Sequence, residues 1–180
     1  MYHTLGQILG LGATVLSAVV PLFKKKWQMV LNTLLINILI ALNFIFIGEI
    51  GSAAYLCMVA AVQCVISLIH LRRHTKATGT ETAIFLFLYL GFGLLGLMSS
   101  PDFAWAINAR NLLELLPICG ALVSMVFVFI PDEQKARWCL LLTCSIWAVY
   151  MGIIGSTAVF SQLTTAAITV AALLKYHKKS

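Results

Sequence analysis

Residues 138–174 contain no lysine, arginine, aspartate or glutamate, and residues 27–47 and 51–71 are equally free of them. Runs of this length exceed what a soluble core can bury, whereas a bilayer requires them. A helix rising about 1.5 Å per residue needs about 20 apolar residues to cross a hydrocarbon layer of about 30 Å. Windows that satisfy this lie roughly at 4–23, 27–47, 51–71, 82–99, 112–131, 137–154 and 156–175. Composition agrees: 61% of the chain is hydrophobic and 10% charged, where a soluble domain is about one quarter charged. The expected fold is therefore an all-α membrane protein of seven transmembrane helices. The start, "MYHTLGQ", lacks the basic stretch of a signal peptide, so the first run is expected to stay as a span.

The net charge of +6 is confined to short clusters between the apolar runs, a pattern unlike a nucleic-acid surface. Lys24, Lys25 and Lys26 follow the first span, Arg72, Arg73 and Lys76 the third, Lys135 and Arg137 the fifth, and Lys175, Lys178 and Lys179 the seventh. Only Arg110 falls on the other side. The positive-inside rule then predicts an outer N-terminus and a cytoplasmic C-terminus. The five cysteines all lie within apolar runs and without metal or redox spacing, so they read as small packing residues.

The chain repeats itself. A shift of 110 aligns Leu5 with Leu115, Ile8 with Ile118, Gly10 with Gly120, Pro21 with Pro131 and Lys25 with Lys135. A shift of 104 aligns Gly48, Gly51 and Ser52 with Gly152, Gly155 and Ser156. Three regions follow: a three-helix unit at 1–76, a linker helix with its outer loop at 77–110, and a second three-helix unit at 111–180. An odd linker predicts a parallel 3+1+3 repeat, and such repeats place solute sites between the halves. The stretches "ELLPICGALVSM", "NFIFIGEIGSAA" and "WAVYMGIIGS" resemble the YgjV family of bacterial inner-membrane proteins. The three-one-three layout is similar to the wider SWEET and PQ-loop group, which implies a carrier-like architecture in the cell membrane. Here Ile118 rather than glutamine follows Pro117, and spans three and seven hold no asparagine. The resemblance thus implies the architecture and not a sugar substrate.

Polar residues inside the spans are the functional candidates, because amides and charges are expensive in hydrocarbon. Glu114 is the only carboxylate even partly inside a span. Two readings stand beside each other: a coupling group, or a capping partner for Asn111 at the start of the fifth span. Pro117, about one turn further in, removes an amide donor and is a candidate hinge. Asn32 and Asn43 share a face of span two, with Asn37 pointing elsewhere. Gln63, Ser67 and His70 form a stripe on span three, and Gln162, Thr165 and Thr169 one on span seven. Asn43 and Trp147 occupy matching places in the two units. The candidate substrate-binding set is therefore Asn43, Gln63, Trp147, Gln162 and Thr165, with interhelical hydrogen bonding as the bland alternative.

No phosphate loop, no metal-binding helix motif and no converging catalytic set is present, so neither an enzyme nor a cofactor is expected. The expected partners are the bilayer and a small polar solute moved by alternating access, with room for a homo-oligomer. The alternative is a non-transporting receptor or assembly protein of the same build.

Overall fold

The computed structural model describes residues 2–19, 26–75, 78–100, 108–129 and 133–177. They form seven helices, and among the described residues there is no strand. In chain order these are α1 (Tyr2–Val19), α2 (Lys26–Ile47), α3 (Ser52–Arg73), α4 (Gly79–Ser99), α5 (Ala109–Phe129), α6 (Glu133–Ile153) and α7 (Val159–His177). Of the residues that carried the sequence argument, Pro21, Lys24, Lys25, Lys76, Pro131, Lys178 and Lys179 lie outside the described residues.

Within the described residues, Val30–Ile47, Ser52–Arg73 and Gly79–Ser99 are long and apolar enough to cross a bilayer. The apolar stretches Trp138–Ile153 and Val159–Ala171 are shorter. The outer faces are what lipid would cover. On α2, Leu31, Leu35, Ile38 and Leu42 recur on one helical face and are each more than a third exposed. Phe87, Val62 and Leu163 are likewise exposed on other helices. Apolar surface on this scale is unfavourable in water and matches hydrocarbon.

Neighbouring helices follow a simple order. α1 packs on α2, α2 on α3, α3 on α5, α5 on α6, α6 on α7, and α7 returns to α1. Six helices thus close a ring, and α4 lies outside it against α3 and α5. A cluster of Leu56, Val59, Phe85, Tyr89, Ile118, Ala121 and Met125 holds α4 in place. The start of α1, the α2–α3 turn, the start of α5 and the α6–α7 turn all meet at one end, called here the hairpin end. At the opposite end α3 stops at His74, whose backbone takes the left-handed conformation. There Thr78 and Glu81 form a capping box on α4. His70 ties the two helices together, with Nε2 2.9 Å from Glu81 and Nδ1 2.6 Å from Thr75.

Three boundaries differ from the sequence expectation. α5 starts at Ala109, because the Asn108 side chain accepts the Asn111 amide at 2.7 Å. Asn108 is the cap, and the expected Asn111–Glu114 capping pair does not form. α6 starts at Glu133, before the expected window. α7 starts at Val159 rather than 156, because the second turn ends differently from the first. In the first turn the left-handed residue is Gly48 (φ 87°), and the Glu49 amide donates to Phe44 O at 2.9 Å. In the second it is Gly155 (φ 68°), and the Ser156 amide donates to Met151 O at 2.9 Å. Both are Schellman terminations, yet Gly48 aligns with Gly152 and not with Gly155. The matching glycines therefore end their helices about one turn apart.

Candidate functional site

Glu114 reaches this site from the second turn of α5, and its side chain is fully buried. Its Oε2 accepts the Ser52 backbone amide at 2.8 Å, at the first turn of α3. Ser52 Oγ lies 2.6 Å from the same oxygen and 2.7 Å from the Glu114 carbonyl. The Tyr150 hydroxyl of α6 donates to Oε1 at 3.3 Å, and Arg110 Nη2 lies 3.3 Å from Oε1. Arg110 also pairs with Glu49 in the α2–α3 turn. One carboxyl thus binds α3, α5 and α6 together, and the arginine extends the network to the turn.

The approach depends on missing side chains. A Cβ on Gly51 would come within 2.5 Å of Glu114 Oε2, and one on Gly96 of α4 within 2.5 Å of Ser52 Cα. Both contacts are closer than real Cβ atoms show, so the carboxyl sits where two glycines leave room. A carboxylate held this far from water needs each of these donors, because an unpaired buried charge is strongly unfavourable.

A neutral junction occupies the matching position between α1 and α7. Asn43 is fully buried; its Nδ2 donates to Gly6 O at 2.7 Å, and Ser156 Oγ donates to its Oδ1 at 2.5 Å. Gln7 Nε2 donates to Gly155 O at 2.9 Å. The Thr157 amide and hydroxyl donate to Gln7 Oε1 and O at 2.8 and 2.6 Å. Ser52 is thus met by the carboxyl of Glu114 on α5, whereas Ser156 is met by the Asn43 amide of α2 and its neighbours Gly155 and Thr157 by Gln7 of α1.

Between the two junctions the hairpin end is filled. Ala13, Ile40, Ala41, Phe44, Ala53, Ala54, Cys57, Tyr150, Met151 and Ala158 pack as one cluster drawn from four helices and the turn before α7. Phe44 and Tyr150 meet across the ring edge to face, with centroids 6.0 Å apart at 72°. Further along α2 the interior changes. Thr33, Asn37, Ile40 and Phe44 share the face opposite the lipid-facing leucines. Phe44 and Ile40 are buried, Asn37 is half-buried and Thr33 is exposed. Burial along this face of α2 therefore falls from Phe44 towards Thr33. Small polar groups mark this part: Asn37, hydrogen-bonded to Cys64 of α3, Thr143 of α6, one helical repeat from Tyr150, and Thr165 and Thr169 of α7. Thr143 Oγ1 is buried without a hydrogen-bond partner.

The sequence-derived set divides accordingly. Asn43 belongs to the α1–α7 junction, and Gln63 accepts the Tyr89 hydroxyl at 2.6 Å between α3 and α4. These two are not brought together. Trp147 packs edge to face on Tyr150, centroids 6.3 Å apart, and its indole covers Gly120. Gln162 and Thr165 are half-buried on the inward side of α7, and Thr165 returns its hydroxyl to Ser161 O at 3.0 Å. Pro117 is fully buried within an unbroken α5. Asn32, paired with Asn43 by periodicity, donates to Leu16 O at 2.9 Å on α1. Tyr150 and Thr143 went unnoticed in the sequence, Ser52 entered only through its match with Ser156, and Asn37 was read as pointing away from the other asparagines.

The sequence model of the Imp-YgjV family, described as bacterial inner membrane protein, matches residues 4–180. The chain belongs to the Imp-YgjV family. It is accordingly a multi-pass protein of the bacterial inner membrane, and its exposed apolar helix faces fit that placement. No curated protein and no solved structure matches the chain. In this Imp-YgjV chain the five cysteines are free, and the described residues hold no group of three or more metal-ligating side chains.

Proposed function

We propose that this Imp-YgjV protein moves a small, neutral, polar solute across the inner membrane by alternating access. One observation carries the reading: the inward face of α2 is fully buried at Phe44 and exposed at Thr33. A closed gate at one end and an open chamber at the other is the arrangement expected of a carrier in one of its two states. The chamber offers hydroxyls, an amide and a thiol rather than fixed charges, which suits a solute with hydroxyl or amide groups.

The neighbour pattern supports the parallel 3+1+3 build. Exchanging α1, α2 and α3 for α5, α6 and α7 turns each ring contact into another, with α1–α7 becoming α5–α3. α1 and α5 also both begin at the hairpin end. By the loop charges, that end faces outward and the chamber faces the cytoplasm. The packed core at the hairpin end also suits the second reading, a non-transporting receptor or assembly protein.

Melting of purified protein against a panel of neutral polyols, amides and sugars tests the reading, followed by counterflow of any hit in proteoliposomes. A ligand bound only by the folded state raises apparent stability by mass action. A stabilising solute should also show counterflow, and Asn37→Ala and Thr143→Val should abolish both effects. Absence of any hit, with Cys64 unreactive to impermeant thiol reagents from either face, would favour the receptor.

A further inference from the structure

We propose that Glu114 binds a proton, and that this proton holds the hairpin end of the ring shut. The inference deepens the carrier reading by naming the coupling ion, and it rests on that reading only for its use in transport.

Two independent features of the site support it. The first is charge. Glu49, Arg110 and Glu114 form one connected cluster with two carboxyls and one guanidinium. The cluster is neutral only after it takes up one proton, and Glu114 is the member with no access to water. The second is hydrogen-bond count. Ser52 Oγ sits 2.7 Å from the Glu114 carbonyl and 2.6 Å from Oε2, yet a hydroxyl carries a single proton. The carbonyl can only accept. If the Ser52 proton points there, an ionised Oε2 faces a serine lone pair at close range. If Oε2 carries a proton, it donates to Ser52 Oγ, Ser52 donates to the carbonyl, and both contacts become hydrogen bonds. The Ser52 amide still donates to Oε2, and Tyr150 and Arg110 still address Oε1.

From α6 the facing group is the Tyr150 hydroxyl, and α4 meets the site through Gly96, whose backbone lies against Ser52 and Gly51. In the reaction a hydronium ion at the hairpin end transfers its proton to Oε2: one O–H bond of the ion breaks, leaving water, and one O–H bond forms on the carboxyl. Loss of that proton leaves the cluster one negative charge in excess inside the seam of α3, α5 and α6. Water must then enter, and the seam parts.

The test uses full-length protein in right-side-out membrane vesicles with Cys57 as the only cysteine. Cys57 is buried in the packed cluster one helical turn beyond Ser52. Labelling by an impermeant thiol reagent should accelerate at least tenfold from acid to alkaline pH, beyond the rise of an exposed Ile50→Cys reference. Glu114→Gln, a permanently neutral isostere, should stay slow at every pH. Infrared difference spectra across the same pH step should show a protonated-carboxyl band that Glu114→Gln removes and Glu49→Gln retains. Should Glu114→Gln fail to fold, Tyr150→Phe, which takes one donor from Oε1, should shift the labelling midpoint. No acceleration in the parent protein, an unchanged profile in Glu114→Gln, no shift in Tyr150→Phe, or a midpoint set by sodium would each overturn the proposal. Solute counterflow unaffected by pH or by Glu114→Gln would overturn the coupling and leave the carrier standing. Proton-dependent labelling with no solute moved would leave the latch standing without the carrier.

Discussion

At the scale of single residues, the connection between Gly51 and Glu114 is among the tightest within the described residues. Gly51→Ala pushes a methyl into the carboxyl, which is already fixed by Ser52. The expected loss is about 1–3 kcal/mol, typical of overpacking. Gly91→Ala on α4, where a Cβ meets nothing within 4 Å, is the matched control and should be neutral or slightly stabilising. Thermal melting in detergent compares the pair. Glu114→Ala goes further by leaving Arg110, Ser52 and Tyr150 without their shared acceptor. Breaking such a buried set costs about 3–5 kcal/mol, so this variant should melt far below Glu114→Gln. Equal melting of the two would mean that the network contributes little beyond its shape. The sequence pointed to Glu114 because it stood alone within a span. Ser52 and Tyr150 could not be inferred as its partners, because each lies on a different helix and no local pattern links them.

At the scale of elements, the helix ends decide which side chains are free for other work. Asn108 caps α5, so Asn108→Ala should lower stability by about 1 kcal/mol. Pro117 follows within the same helix and denies Leu113 O the usual amide. Pro117→Ala supplies that donor. If α5 flexes there as the gate opens, the variant should keep its melting temperature within a few degrees while Cys64 reactivity becomes fixed from one face. Lower melting with unchanged reactivity would identify Pro117 as a packing device. Loss of Gln7 on α1 probes the other junction: Gln7→Leu removes the acceptor of the Thr157 amide and the donor to Gly155 O. Interhelical bonds average about 0.6 kcal/mol, and a stranded turn amide adds to that loss. A drop in melting temperature together with faster proteolysis at the α6–α7 turn would report the release of α7. The glycine pairs announced both turns, but the repeat did not reveal that α6 runs about one turn past its counterpart. Which glycine takes the left-handed conformation depends on how the following segment docks, and the second docks on Gln7 and Asn43.

At the scale of the whole molecule, orientation is the property most directly testable. In a cysteine-free background, Ile50→Cys in the α2–α3 turn should label from outside intact cells, and Thr75→Cys only after permeabilisation. The reverse pattern would invert the protein in the membrane. What the sequence alone determined is everything that depends on distance along the chain. Run lengths set the seven helices, glycines and charges set the breaks between them, and internal similarity indicated two related units. These follow from local rules, since every backbone group in hydrocarbon must be paired within its own helix. What tertiary structure decided is where each helix face ended up. Asn32, Asn43 and Gln63 look alike in sequence as costly amides in a span, yet each serves a neighbouring helix. Asn37, which seemed to point away, lies on the inward face with Phe44. Periodicity tells which residues share a face, but not whether that face meets lipid, another helix or an open interior. That choice belongs to the order in which six helices close a ring, and closure joins residues more than a hundred positions apart.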